Sequence, residues 1–436
     1  MIRIFNERDK AKLFARLESR RNLVSHDIVG TVRQIVSQVQ KEGDRALIKF
    51  TEKFDKIKMT ARQLRVRHQT LHAAAKKADP SLVRDLEKAI FNIHAYHARQ
   101  IQKSWEYNKR GVVLGQRVLP LDSVGVYVPG GSAAYPSSVL MSIIPAKIAG
   151  VPRIVVVTPP GTFQQNPLVA AALHELNATE VYTVGGAQAI AALAFGTDTI
   201  PRVDKIVGPG NAYVTAAKRE VFGEVDIDMI AGPSEVVILA SAESNPRFIA
   251  ADMLSQAEHD AAACSICFTN SLPHAMLVQR ELEVQIESLQ RKEIARKSLE
   301  NFGAIVIMDS YIQSTHWINE IAPEHLEIFA SIPPSAINMV RNAGSIFYGD
   351  YSPEAVGDYF AGSNHVLPTG GTARFFSPLG VYHFQRRTGI IRYTKEELSH
   401  TWKSIDALAR SEGLDAHAKS VSIRQEAGGA PLDKES

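Results

Sequence analysis

Two short segments set an acid beside an imidazole: Ser255-Gln256-Ala257-Glu258-His259 and Ala322-Pro323-Glu324-His325-Leu326. Further along come Gly357-Asp358, His365, and Glu412 followed by His417. Histidine changes charge near neutral pH and a carboxylate nearby tunes or orients it, so such pairs suit proton transfer and metal binding. In Glu324-His325 the imidazole would be a base, with the carboxylate a second base or an orienting group. Asn245 to Asp260 reads as a helix, with Asn245 as N-cap and Pro246 at its first position. Gln256 and His259 would then share one helix face and could hold an ion from two directions. Asp358 is either a hard oxygen ligand or the cap of its own turn. His417 adds a further nitrogen donor with Glu412 nearby. Taken singly, each motif is common on ordinary surfaces, so only their combination points to a site.

Cys264 and Cys267 are the two cysteines of the chain, in a C-x-x-C spacing that invites a redox or half-zinc reading. They fall in Ala262-Ala-Cys-Ser-Ile-Cys-Phe-Thr269, which reads as a buried strand. Residues three apart on a strand point to opposite faces, so the two thiols are expected to be small core residues and not joint ligands.

The elements that must position these groups follow from pattern. Residues 1–110 are charged and largely helical in period, as in Ile28 to Lys41 and Ser81 to Ala95, and read as a scaffold. From about residue 120, short apolar runs end in Gly-rich turns and lead into Ala-rich helices: Val124 to Gly131, Ile154 to Gly161, Val181 to Gly186 and Lys205 to Gly210. A second series begins at Glu235 and runs through the Cys264 strand, a long polar helix around 276 to 300, Ala304 to Met308, and Glu327 to Ala330. Alternating strand and helix implies an α/β protein with parallel sheets, and two series imply two Rossmann-like units. The expected division is a helical segment 1–110, a first parallel-sheet domain 111–235, a second 236–375 carrying the acid and imidazole motifs, and a C-terminal helical extension 376–436. Gly357 to Gly371 reads as a polar loop, Lys395 to Arg410 as a helix, and the tail from about Gln425 as disordered.

Composition excludes several classes. Hydrophobic residues make up 45% and charged residues 22% of the 436 residues, the balance of an ordinary globular chain. Forty-nine Lys and Arg against 46 Asp and Glu leave +3, too little to imply nucleic acid or a membrane surface as partner. Neither a signal-peptide core at Met1 to Lys10 nor a run of about 18 apolar residues is present, so the expectation is a cytoplasmic protein.

Among the Gly-rich turns, Gly208-Pro-Gly-Asn-Ala-Tyr213 matches the first two glycines of G-x-G-x-x-G but has Tyr213 at the third, so the dinucleotide fingerprint is incomplete. Residue types and spacing thus define a soluble α/β enzyme, with zinc an option and the reaction open.

Eight segments together resemble the histidinol dehydrogenase family. They are Tyr127-Val-Pro-Gly-Gly-Ser132, Gly185-Gly-Ala-Gln-Ala-Ile-Ala-Ala-Leu-Ala194, Gly208-Pro-Gly-Asn211, Ala231-Gly-Pro-Ser-Glu235, Leu254-Ser-Gln-Ala-Glu-His-Asp260, Ala322-Pro-Glu-His-Leu326, Gly362-Ser-Asn-His-Val-Leu-Pro-Thr369 and Glu412-Gly-Leu-Asp-Ala-His417. They occur in the family's order over about residues 120 to 420. The resemblance implies two incomplete Rossmann-like domains and four-electron oxidation of L-histidinol through the aldehyde to L-histidine. It implies one zinc per subunit on Gln256, His259, Asp358 and His417, and NAD used twice per turnover and contacted by Tyr127, Gln188 and Asn211. Ser234, Gln256, His259, His325, Asp358, Glu412 and His417 would contact substrate, with Glu412 and His417 supplied by the second subunit of an obligate homodimer. His325 would take the alcohol proton and Glu324 would activate water for the aldehyde step. One departure is His383, where the family more often has an acid. Other readings are a relative oxidising another small alcohol, such as a sulfonated diol, a zinc hydrolase using Glu324 without NAD, or a noncatalytic metal-binding protein.

Overall fold

The structure is a computed structural model that describes residues 2–21, 26–130 and 135–426. The end of the Tyr127 motif, Gly131 and Ser132, and the tail beyond 426 lie outside the described residues. The chain divides into two units, one formed by 1–101 with 121–384, the other by 102–120 with 385–436.

The first unit holds two parallel sheets. The five-stranded sheet runs Glu180–Thr183, Arg153–Thr158, Ser123–Tyr127, Lys205–Val207, Asp226–Ile227 from edge to edge. Numbered along the chain, that is 3-2-1-4-5, the doubly wound order with its sixth strand missing. The second sheet repeats it with Ala304–Ile307, Cys264–Thr269, Glu235–Leu239, His325–Ile328 and Ser345–Tyr348, and adds Arg3–Asn6 outside Ala304–Ile307. Both incomplete Rossmann-like sheets inferred from the apolar runs are therefore present.

The unbroken Val and Ile runs make sense in strands buried on both faces. Val156 packs into the core on one side of the five-stranded sheet, while Val155 and Val157 pack into the core on the other. Cys264 and Cys267 likewise enter opposite cores of the second sheet, and burial pushes both thiols up, Cys264 to about 12. They are core residues.

The N-terminal helices cover the five-stranded sheet on both sides: His26–Glu42 through Val32, Ile35 and Val39 on one face, and Pro80–His97 through Leu86, Ala89 and Ile93 on the other. Arg3–Asn6 departs from the helical pattern of residues 1–110 because Phe5 is buried against the second sheet, a contact that a run of only two apolar residues, Ile4 and Phe5, does not advertise. The polar helix expected around 276 to 300 is two helices, Leu272–Gln285 and Lys292–Phe302. No glycine or proline marks the break; buried Ile286 turns the chain there.

In the second unit, Trp105–Lys109, Val112–Pro120 and Gln385–Tyr393 form an antiparallel sheet, followed by helices Lys395–Ser411 and Asp415–Glu426. The strand Gln385–Tyr393 falls within 376–436, the stretch expected to be a helical extension. Its register against Val112–Pro120 is continuous over nine residues, a long-range pairing with no local signature.

Candidate active site

Helix Tyr311–Ile321 stops at Ala322, whose φ of 53° is left-handed, and Pro323 bars any continuation. Glu324 and His325 follow at a helix-to-strand corner, as the sequence suggests, and His325 opens its strand beside Glu235 at the start of the next. The backbone of Glu235 holds both side chains. Its N–H donates to Glu324 Oε2 at 2.9 Å, and its carbonyl lies 3.0 Å from His325 Nδ1. A carbonyl only accepts, so Nδ1 carries the hydrogen and Nε2 presents its lone pair. That Nε2 is buried and has no hydrogen-bond partner.

Arg20 in turn fixes Glu235. From helix Lys10–Arg21 its guanidinium reaches Glu235 Oε1 at 2.8 Å, Pro233 O at 3.0 Å, Ser234 O at 3.2 Å and Ala262 O at 2.8 Å. Sequence reasoning gave neither Arg20 nor the Glu235 side chain a role; a lone arginine on an N-terminal helix carries no signal.

Facing His325 Nε2 are Glu354 Oε1 at 3.8 Å and Asp358 Oδ1 at 3.9 Å. The two acids are four apart on the short helix Glu354–Tyr359, so they share a face. Asp358 is thus helical, not in the polar loop expected from Gly357 onward; Pro353 starts the helix and six residues suffice to aim both acids. With its amide turned so that nitrogen donates, Gln256 bonds the Glu235 carbonyl at 3.1 Å and Glu354 Oε2 at 3.2 Å. Glu354 was not singled out from sequence; its spacing to Asp358 was the available signal.

His259 does not share a helix face with Gln256. Helix Pro246–Ala257, capped by Asn245 as expected, ends before it, and His259 follows in a turn whose N–H donates to Gln256 O at 3.2 Å. The helix ends there because residues 258–263 turn back to begin strand Cys264–Thr269. His259 and His365 both lie near enough to His325 to disfavour its charged form.

Burial dominates the electrostatics. It pushes the carboxyls of Glu324 and Glu354 well above the usual range and Asp358 up to about 6, and it lowers His325 to about 3 and His365 to about 4. Among the described residues no lysine or arginine pairs with Glu354 or Asp358, and one donor atom from each of His325, Glu354 and Asp358 lies within 4.8 Å of the others. Two carboxyl groups facing one another with no basic partner among the described residues fit a divalent cation at this place.

Tyr127, Gln188 and Asn211 line one cavity of about 640 Å³ at the carboxyl edge of the five-stranded sheet. Tyr127 is buried and its hydroxyl accepts from Gly186 N–H at 3.1 Å, while Asn211 caps helix Ala212–Val221 through Tyr213 and Val214 N–H. Gly208 is obligatory: its φ is 114°, and a Cβ there would lie 2.1 Å from Tyr127 O. Lys218 and Asp228, a buried ion pair, bond the Gly208 carbonyl and N–H and set the turn. Tyr213, in place of the third glycine, stands in the cavity wall. The cavity uses the carboxyl edge of its sheet, as doubly wound folds do. The His325 cluster uses the amino edge of the second sheet.

Ser234 directly precedes Glu235 and is partly exposed. Glu412 and His417 belong to the second unit, where Glu412 caps helix Lys395–Ser411 and His417 opens the last helix, both exposed.

A Gly-rich cavity on one incomplete doubly wound sheet and a buried acid–imidazole centre on another are the parts of an oxidoreductase. The family described as histidinol dehydrogenase matches residues 18–425. A histidinol dehydrogenase of Listeria monocytogenes is 53% identical over 92% of this chain and 94% of its own, and one from Bacillus subtilis is 51% identical over 91% and 92%. A crystal structure of histidinol dehydrogenase from Elizabethkingia anophelis superposes with a TM-score of 0.90 at 34% identity, covering 98% of this chain and 99% of that one. The chain belongs to the histidinol dehydrogenase family and is an oxidoreductase of that activity.

Proposed function

We propose that this enzyme oxidises L-histidinol to L-histidine in two successive steps, using NAD and a zinc ion. The neutral, unpartnered Nε2 of His325 carries this reading: it is a base held ready in a dry site. His325 takes the alcohol proton at Nε2 while its Nδ1–H stays on the Glu235 carbonyl. Glu324, which burial makes a stronger base than an exposed carboxylate, takes a proton from water in its ionised form for the aldehyde step. Keeping both bases on one backbone residue lets a single bound substrate meet each in turn, so the aldehyde need not leave.

Zinc would be held by Gln256 through its carbonyl oxygen, His259 and Asp358, with His417 of a second copy, and would orient the substrate's nitrogen donors. The convergence of Glu354 and Asp358 without a basic partner among the described residues supports a cation at this place. NAD would occupy the cavity of Tyr127, Gln188 and Asn211 and accept the hydride of each step. Ser234, Glu412 and His417 would contact substrate.

Contribution of Glu412 and His417 by a partner makes the homodimer obligatory. Supporting this, the second unit exposes apolar side chains on its sheet and helices, Ile391 at 74% and Leu408 at 67%, more than a monomer comfortably leaves in water. In this reading residues 111–235 serve NAD, 236–375 carry the bases and zinc ligands, and 376–436 are exchanged between subunits. No described helix is long and apolar enough to cross a membrane, which agrees with a cytoplasmic enzyme. The test is NADH formed per histidinol consumed, before and after chelation. Two per histidinol, lost with the metal and restored by zinc, is the expected result; none from histidinol would overturn the reading.

A further inference from the structure

We propose that Asp55 reads the 2′-hydroxyl of the adenosine ribose and makes the enzyme reject the 2′-phosphorylated cofactor. The proposal rests on the assignment of the 640 Å³ cavity to NAD. Asp55 is the last residue of helix Asp44–Asp55, followed by Lys56 with a left-handed φ of 59°. A carboxylate at that end meets the negative pole of the helix dipole, which disfavours it. Its Oδ2 is also buried and has no hydrogen-bond partner. No hydrogen bond among the described residues offsets the second cost, and burial is what raises its carboxyl above the ordinary value. A polar group kept in this condition is waiting for a donor from outside the chain.

The surroundings indicate which donor. Asp55 and Phe54 both line the cavity that holds Tyr127, Gln188 and Asn211. The Phe54 ring stacks on Phe50 at 5.7 Å and remains 46% exposed, so it offers a flat face for a base beside an acceptor for that base's sugar. Tyr135 lies on the same wall and is close enough to Tyr359 to act on its phenol together with Asp358. The Tyr135 end therefore leads toward the acid–imidazole centre and takes the nicotinamide, leaving the Phe54 and Asp55 end to the adenosine. A ribose diol donates to a carboxylate, whereas a phosphate dianion only accepts and is repelled. No lysine or arginine lines the cavity among the described residues to receive such a phosphate.

The metal-loaded enzyme and its Asp55→Asn, Asp55→Ser and Gln188→Ala variants would be compared with NAD and NADP. The unsubstituted enzyme should strongly prefer NAD. Both Asp55 variants should raise KM for NAD about tenfold or more and raise the NADP to NAD ratio of kcat/KM by a similar factor, with kcat for NAD little changed. Equal use of the two cofactors by the unsubstituted enzyme would overturn the proposal. So would an unmoved ratio in both Asp55 variants while Gln188→Ala raises KM for NAD, which leaves the cavity assignment standing. An unmoved KM for NAD in all three variants would overturn the cavity assignment and the proposal together.

Discussion

The guanidinium of Arg20 and the carboxylate of Glu235 form a buried ion pair at 2.8 Å, and the backbone of Glu235 holds Glu324 and His325. A residue from the first helix thus supports both bases although it touches neither. Arg20→Met should cost about 3–5 kcal/mol, because it strands Glu235 and three carbonyls without their donor. Adding Glu235→Gln should return part of that loss. Urea unfolding of the single and double variants measures both; a loss under about 1 kcal/mol for Arg20→Met would show that the pair does not hold the corner.

Glu324→Gln preserves shape and can still meet the Glu235 N–H, but it cannot take a proton. Histidinaldehyde oxidation should fall by about 10²–10⁴-fold, the usual worth of a positioned base, and histidinol oxidation to the aldehyde should fall much less. Single-turnover NADH formation from each substrate separates the two steps. Equal losses in both would remove Glu324 from the water-activating role.

Much of this arrangement was legible in the chain because it rests on local signals. Pro323 predicts the corner at Glu324-His325, Asn245-Pro246 the start of the Gln256 helix, and the Val-rich runs the two parallel sheets. What was not legible depends on pairing across sequence distance. Arg20 meets Glu235 across 215 positions, and Gln385–Tyr393 pairs with a strand more than 260 residues earlier. Glu354 carries no motif of its own; only the fold places it against His325. The helix face expected to join Gln256 and His259 does not exist, since the helix ends at Ala257, yet the turn that follows keeps the two residues together through a backbone hydrogen bond.

That turn makes His259 and Glu354 separable by metal analysis. His259→Asn should leave the protein with little zinc and little activity, since it removes a nitrogen donor. Glu354→Gln removes a charge that faces Asp358 and His325 but keeps the hydrogen-bonding shape, so zinc should be retained at lower affinity, about 10–100-fold as for a supporting residue. Zinc content by elemental analysis, followed by competition with a chromophoric chelator, distinguishes them. Full zinc in His259→Asn would exclude it as a ligand, and complete loss in Glu354→Gln would make Glu354 a ligand itself.

His97 gives a pH dependence away from the site. It ends helix Pro80–His97 fully buried, with Nδ1 at 2.8 Å from Gln100 Oε1 and Nε2 without a partner, and burial lowers its pKa from the usual 6.5. The unfolded chain therefore binds a proton below about pH 6.5 that the folded one still refuses. Stability owed to neutral His97 is complete above that pH and declines as pH falls toward the folded value, by at most ~1.4 kcal/mol per unit. His97→Gln should flatten the fall in unfolding free energy between pH 7 and 5 relative to the unsubstituted protein. Parallel slopes for the two proteins across that range would show that His97 is protonated as readily inside the fold as outside it.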